Sequence, residues 1–427
     1  MKKMSLSCIA VFCCAIISIN LDARTITAED LFAFQWIGDP QLSEDGKQAA
    51  FVGVTVDAKR SDYETALWRV DTRNGNMQKL TSGKHDSAPR WSPDGNYVAF
   101  LRADVKDGKS LPAQLFVQPV KGGTAWQLTD LPKGVSQPAW SKEGKSLAFL
   151  STTNGQDLAI AACTAKKNSD KALCRPEHVS DVHVVTRAKY RTDSEGYLDF
   201  AHPSHVWAVA FSAQSHAIAK PRQLTRGNYS ETGIVWAPDN SRIYFVSDRD
   251  FEPYYHLPKF AIYSVPASGG DTTKILQFSG ILGALYSGMA STLSVSPRGD
   301  RLAFLGVTSE APLKSYRKAN LWVVELKHGG KKNLTANYDW GIGEMVISDS
   351  FPPRAIGESR PIWSADGKSI TVVVVKQGRA NLERFDAATG AVKTVTSGDQ
   401  AVTQFASNGR DVVARISTPT HLNDLYF

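Results

Sequence analysis

Gly-x-Ser triplets are the first residues in this chain that could do covalent chemistry, among them Gly108-Lys-Ser110, Gly144-Lys-Ser146, Gly357-Glu-Ser359 and Gly367-Lys-Ser369. A hydrolase serine on a strained strand-to-helix elbow needs glycine on both sides, because a side chain there would clash at the tight turn. None of the four has a second glycine two residues after the serine. No elbow is present, and no catalytic residue is assigned. Three of the triplets also resemble the end of a phosphate loop. That loop needs another glycine five positions before its last one, where this chain has Ala103, Ala139 and Ile362. They read as turns.

Metal ligation is the next possibility. His202-Pro-Ser-His205, with His178 and His183 upstream, is the one local histidine cluster. The proline spoils a helical display of the pair, and no carboxylate stands at a familiar ligand spacing. A solvated loop is expected, with no metal and no cofactor. Asp71 to Gly75 and Asp386 to Gly390 read as turns between outer strands.

The stretch between Cys163 and His205 is the most distinctive in the chain. Arg187, Tyr190, Arg191 and Tyr197 gather cations and aromatic rings there. Loops on a rigid scaffold commonly carry binding function, so these four are the expected substrate-binding residues. The competing reading is a solvated hairpin with no ligand. Cys163 and Cys174 are the two cysteines outside the N-terminal apolar run, which holds Cys8, Cys13 and Cys14. An even number in an exported chain predicts a Cys163–Cys174 disulfide, with two free thiols as the alternative.

What positions these residues is a repeat that runs the length of the chain. A Ser/Ala-x-Asp-Gly-like turn follows an apolar or Trp position and precedes an alternating apolar strand. It occurs at Gln41–Gly46, Trp91–Gly95, Trp140–Gly144, Trp236–Asn240, Val295–Gly299, Trp363–Gly367 and Phe405–Gly409. A second phrase lies between copies: a strand, a glycine-containing turn, and a strand ending near Leu-Thr, as in Leu80-Thr81, Leu128-Thr129, Leu224-Thr225 and Leu334-Thr335. Asp-Gly and Asn-Gly pairs tolerate the positive φ of hairpin turns. Each unit then holds four short strands and must stack on its neighbours to bury both faces. The expected fold is all-β, a seven-bladed β-propeller over residues 40–427 with an insertion at about 155–205. Eight blades is the alternative. Thr27-Ala-Glu-Asp30 predicts a short helix ahead of the first blade, within a 24–39 linker.

Lys2 and Lys3 precede an apolar stretch from Leu6 to Ile19, interrupted by Ser7 and Ser18. As a helix it would span ~21 Å, short of a ~30 Å hydrocarbon core. It reads as a secretory signal peptide over residues 1–23, with a retained anchor as the alternative. A periplasmic or secreted chain follows, not membrane-spanning in its mature form. The composition, 42% hydrophobic and 21% charged with 32 Gly and 20 Pro, is that of a turn-rich globular protein. A net charge of +7 without basic-aromatic clusters gives no nucleic-acid signature.

Taken together, Thr27–Leu31, the Trp-Ser-Pro-Asp-Gly95 type turns, Val182 to Tyr197, Phe245–Asp250 and the Gly-Gly turns at 122, 269 and 329 resemble the prolyl oligopeptidase family. The likeness is to its acylaminoacyl-peptidase and dipeptidyl-peptidase branch. The resemblance implies a substrate-gating propeller that precedes a C-terminal α/β-hydrolase domain carrying a Ser-Asp-His triad and acts on peptides. That hydrolase domain is absent here, so no triad residue carries over and the chain alone is expected to be inactive. The last blade is expected to be truncated, with its third strand just starting at Leu425-Tyr-Phe427. A stand-alone periplasmic binding or scaffolding propeller is the rival reading.

Overall fold

A computed structural model describes residues 24–166, 174, 182, 184–193, 196–250, 256–257, 259–283, 293–309, 317–346, 351–355, 357 and 359–427. The proposed signal peptide, His178 and His183 lie outside these residues. The described chain is nearly all β. Four-stranded antiparallel sheets form in succession, the first from Gln35–Leu42, Gln48–Val56, Tyr63–Asp71 and Met77–Lys79. A five-stranded and an eight-stranded sheet follow; the latter joins two hairpin units through one parallel bridge, Ala380 to Ala401.

The repeated phrases explain these elements atom by atom. In the turn Ser92–Gly95 the serine hydroxyl donates to Asp94 (2.5 Å) and accepts the Tyr97 amide (2.9 Å). The same serine–aspartate bond recurs from Ser43 and Ser364, while Ser296, with Arg298 two positions on, donates to Asp300 instead. The Leu-Thr phrase has an equally local cause. Where the outer strand runs out, the Thr hydroxyl accepts the amide that would otherwise be orphaned: Thr81 from Leu67, Thr129 from Leu115, Thr225 from Val206, Thr335 from Leu321 and Thr396 from Leu382.

The second strand of each sheet packs on both faces, so it reads as a continuous apolar run. Phe100, Phe149, Phe245 and Phe304 are fully buried at these positions. Each such ring contributes about 1.5–3 kcal/mol relative to an exposed one. Tryptophans tie neighbouring sheets together. Trp91, Trp140, Trp236 and Trp363 donate from Nε1 to carbonyls of Gln41, Arg90, Ala139 and Ser294 in the preceding sheet, at 2.9–3.0 Å. Equivalent atoms meet equivalent atoms, so successive sheets share one orientation, with the serine turns at one end.

The first and last strands also meet. Ala49, Phe51 and Val70 pack with Ala406 and Val413, and the Asn408 amide donates to Glu44 O (3.1 Å).

Three local expectations change. The helix before the first sheet is a 3-10 helix, Ala28–Ala33, held by the Thr27/Asp30 capping box. The third strand after Val412–Thr418 does not begin at Leu425: His421–Tyr426 is already formed, because a tight turn at Thr418–His421 reverses the chain at once. The inner strands of the fifth and sixth units are split, into Gly280–Leu282 and Ser294–Val295, and into Gly341–Ile342 and Ile362–Trp363. After Ile342 the chain crosses to the first sheet, where Ala355 joins the core around Val52 and Leu67. Gly38 is required at that crossing, since a Cβ there would lie 2.2 Å from Ala355 O.

Candidate functional site

The insertion leaves the third sheet after Ser151 and returns at His205. Its helix, Gly155–Thr164, starts at Asn154, whose side chain accepts the Asp157 amide while Asp157 accepts the Asn154 amide (3.0 and 2.9 Å). Cys163 near the helix end is disulfide-bonded to Cys174, with Cα atoms 5.6 Å apart. A two-residue ladder, Arg191–Thr192 against Gly196–Tyr197, forms the hairpin beyond.

The predicted binding residues fall into two groups. The Tyr190 and Tyr197 rings lie 6.1 Å apart, and the Arg191 guanidinium sits 5.7 Å from the Tyr197 ring. Leu198 donates to Tyr190 O and closes the hairpin. Arg187 goes elsewhere, stacking 4.0 Å over Phe200. Tyr190, Arg191 and Tyr197 are exposed. Such a surface offers π-faces and cations to peptide backbones and carboxylates. It offers nothing that could activate a nucleophile.

The histidine pair departs from the solvated loop that its sequence suggests. His202 bridges two carboxylates, Asp199 at 2.6 Å and Asp157 at 3.3 Å, and so ties the helix to the end of the insertion. His205 opens a strand and is buried, its Nδ1 2.8 Å from Glu231 Oε2, which also accepts the Thr225 hydroxyl. Nearby, Arg249 is sandwiched between the rings of Tyr229 (4.0 Å) and Tyr263 (3.8 Å). Short-range sequence could not reveal this cluster, because Thr225, Glu231 and Arg249 come from separate strand ends. Among the described residues, no group of three or more His, Cys, Asp or Glu converges as a metal site.

Two open spaces mark the ends of the sheet assembly. At the end carrying the 3-10 helix, a cleft of about 890 Å³ is lined by Leu31, Phe32, Phe34, Trp36, Tyr63 and Leu422. Arg60 lies 4.5 Å over Phe32 and pairs with Glu29 at 2.6 Å. At the serine-turn end a mouth of about 690 Å³ is ringed by Trp91, Trp140, Trp236 and Trp363 with Pro93, Pro138, Pro238 and Pro297. Lys142 reaches Glu44 across non-adjacent sheets at its edge (3.1 Å). The sequence signal for this mouth was present in the repeated Trp-Ser-Pro phrase, but periodicity alone does not say which side of a tryptophan faces open space.

No family model matches the chain. It is 26% identical over 406 residues to the uncharacterized peptidase YuxL of Bacillus subtilis (strain 168), covering 94% of this chain and 57% of that protein. It is 22% identical over 414 residues to dipeptidyl-peptidase 5 of Porphyromonas gingivalis, covering 94% and 54%. The chain therefore spans a little over half the length of these curated relatives. Among solved structures, the β-propeller domain of the Trilobed protease from Pyrococcus furiosus, described as having an open velcro topology, superposes with a TM-score of 0.57. That match is at 16% identity and covers 92% of this chain and 94% of that one. With its repeated sheets, closing seam and peptidase relatives, this chain matches the β-propeller portion of prolyl oligopeptidase-family peptidases.

Proposed function

We propose that the chain is the substrate-gating propeller of an exported serine peptidase that hydrolyses peptides, in the manner of dipeptidyl- or acylaminoacyl-peptidases. The observation that carries this reading is the likeness to two peptidases over 94% of the chain, coupled to an all-β repeat fold. The sheets correspond to seven blades, the last two sharing the eight-stranded sheet. The hairpin with Tyr190, Arg191 and Tyr197, and Arg187 beside Phe200, contact the peptide. The apolar cleft beside Leu31 and Phe34 docks the α/β-hydrolase domain that supplies the triad. Residues 1–23 direct the chain to the periplasm or the exterior.

Two measurements test this. The coding DNA beyond the Phe427 codon should continue, in frame or after a frameshift, into a Gly-x-Ser-x-Gly segment; a long non-coding gap there supports a stand-alone binding propeller. Purified residues 24–427 should bind fluorescein-labelled hexapeptides, and Tyr190→Ala/Arg191→Ala should weaken binding at least fivefold. They should not turn over dipeptidyl chromogenic substrates, since no elbow serine is present. Turnover abolished by a serine-directed phosphonate that labels this chain would refute the assignment.

A further inference from the structure

Beside the seam, a partly open cavity of about 90 Å³ lies between the crossing segment and the strands Ser369–Lys376, Ala401–Ser407 and Val412–Thr418. Its walls include Glu344, Ser359, Arg360, Thr403, Gln404 and Arg415. Arg415 is 1% exposed, yet its hydrogen bonds go to neutral acceptors: Nε to Thr403 Oγ1 and Nη1 to Ile37 O, both 2.7 Å. Asp39 is the carboxylate whose field reaches it, but both Asp39 oxygens are taken, by Gln41 (2.7 Å) and Arg90 (2.8 Å). Asp39 is thus engaged elsewhere, and no carboxylate among the described residues hydrogen-bonds Arg415.

Unused donors line the same cavity. Gln404 is 4% exposed and its Oε1 accepts the Asp39 amide (3.1 Å), which turns its Nε2 the other way. Among the described residues, Arg415 Nη2 and Gln404 Nε2 have no hydrogen-bond partner, and Ser359 Oγ is enclosed without one. Buried donors normally find acceptors, and a buried cation normally finds an anion.

We propose that this cavity binds one small carboxylate or oxyanion, held by Arg415 Nη2 and Gln404 Nε2 with the Ser359 hydroxyl as a third donor. The volume suits a carboxylate with a water or two, each water needing roughly 10–15 Å³, and excludes a whole peptide residue chain. Burial without a paired anion already pushes the Arg415 guanidinium down to about 10, a cost that a bound carboxylate offsets. Arg360, Pro361 and Phe405 line both this cavity and the tryptophan-ringed mouth, so the anion has two sources: a free small acid or the C-terminal carboxylate of an entering peptide. Either one joins the crossing segment, through Ser359, to the strands Ala401–Ser407 and Val412–Thr418 that carry Gln404 and Arg415.

The test is equilibrium dialysis of radiolabelled acetate against purified residues 24–427, at ionic strength fixed with a bulky sulfonate. One saturable site per chain is expected. Arg415→Gln should weaken it at least tenfold. Gln404→Glu supplies an internal carboxylate, so it should abolish uptake while raising the melting temperature and leaving the far-UV spectrum unchanged. Competition by glycylglycine but not by its amide identifies a peptide terminus as the ligand; competition by formate alone identifies a free small anion. Absence of saturable uptake, or uptake undiminished in Gln404→Glu, refutes the site and leaves the cavity to water.

Discussion

Thr129→Val isolates the repeated strand-end hydroxyl with almost no change of shape. Thr129 is fully buried; its Oγ1 accepts the Leu115 amide at 3.0 Å and donates to Gln114 Oε1 at 2.9 Å. Valine fills the same space but removes both bonds. Gln114 Oε1 keeps the Leu131 amide (3.0 Å), so it stays satisfied. The Leu115 N–H does not. Leaving one buried amide unpaired costs about 1–3 kcal/mol, and the added methyl returns up to about 0.8 kcal/mol. A net loss of about 1–2 kcal/mol is expected from denaturant melts followed by tryptophan fluorescence. Hydrogen exchange should localise it, with the Leu115 amide losing protection ahead of its neighbours. Thr129→Ser is the control: it keeps the hydroxyl, loses a methyl, and should fall by less than the valine variant. If valine proves as stable as threonine, or the serine variant is the weaker of the two, the hydroxyl is not what holds this strand end.

Other outcomes follow from the same geometry. Gly38→Ala drives a Cβ to 2.2 Å from Ala355 O, so thermal stability should fall by about 1–3 kcal/mol as the crossing segment is displaced, with limited proteolysis reporting cleavage near Arg354. Non-reducing peptide mapping of the folded protein should recover Cys163 and Cys174 on one linked peptide; two alkylatable thiols would remove that cross-link. The hydroxyls of Ser43 and Ser296 hold Asp45 and Asp300 below the usual carboxylate range. A depressed folded value gives stability that is present above the ordinary carboxylate pKa and lost as pH falls through the folded value. The stability gap between wild type and Ser296→Ala should accordingly be full at pH 6 and shrink below pH 4; an unchanged gap at pH 2.5 would contradict this.

The repeat was legible because its residues act within a few positions of one another. Ser92 bonds Asp94 and the Tyr97 amide, and Thr129 bonds an amide on the adjacent strand, so each leaves a local mark. The crossing segment after Ile342 left none, since its anchors, Gly38 and the core around Val52, lie some three hundred positions away. His205 was misread for the same reason: its partner Glu231 belongs to the next sheet. Inner-strand bulges were also hidden, because Asp39, Ala88 and Gln137 take positive φ without being glycine. Arg415 looked like any strand arginine. Only closure of the seam buries it.

The tryptophan ties have a mechanical consequence. They run unbroken from the first sheet to the fourth, then stop, because Val295 stands where the next indole would be. One further tie joins the fifth and sixth units through Trp363. The ties are missing at three places: before Val295, before the strand Ala401–Ser407, where the parallel bridge from Ala380 joins the units instead, and at the closing seam. Junctions without a tie are where the assembly is expected to flex, so the mouth should open unevenly, with the joint before Val295 acting as a hinge. Val295→Trp, if its indole reaches the carbonyl of Val235, would lock one hinge. The distance distribution between spin labels placed across the mouth would then narrow, whereas an unaltered distribution would show that the joint was never where the motion lay.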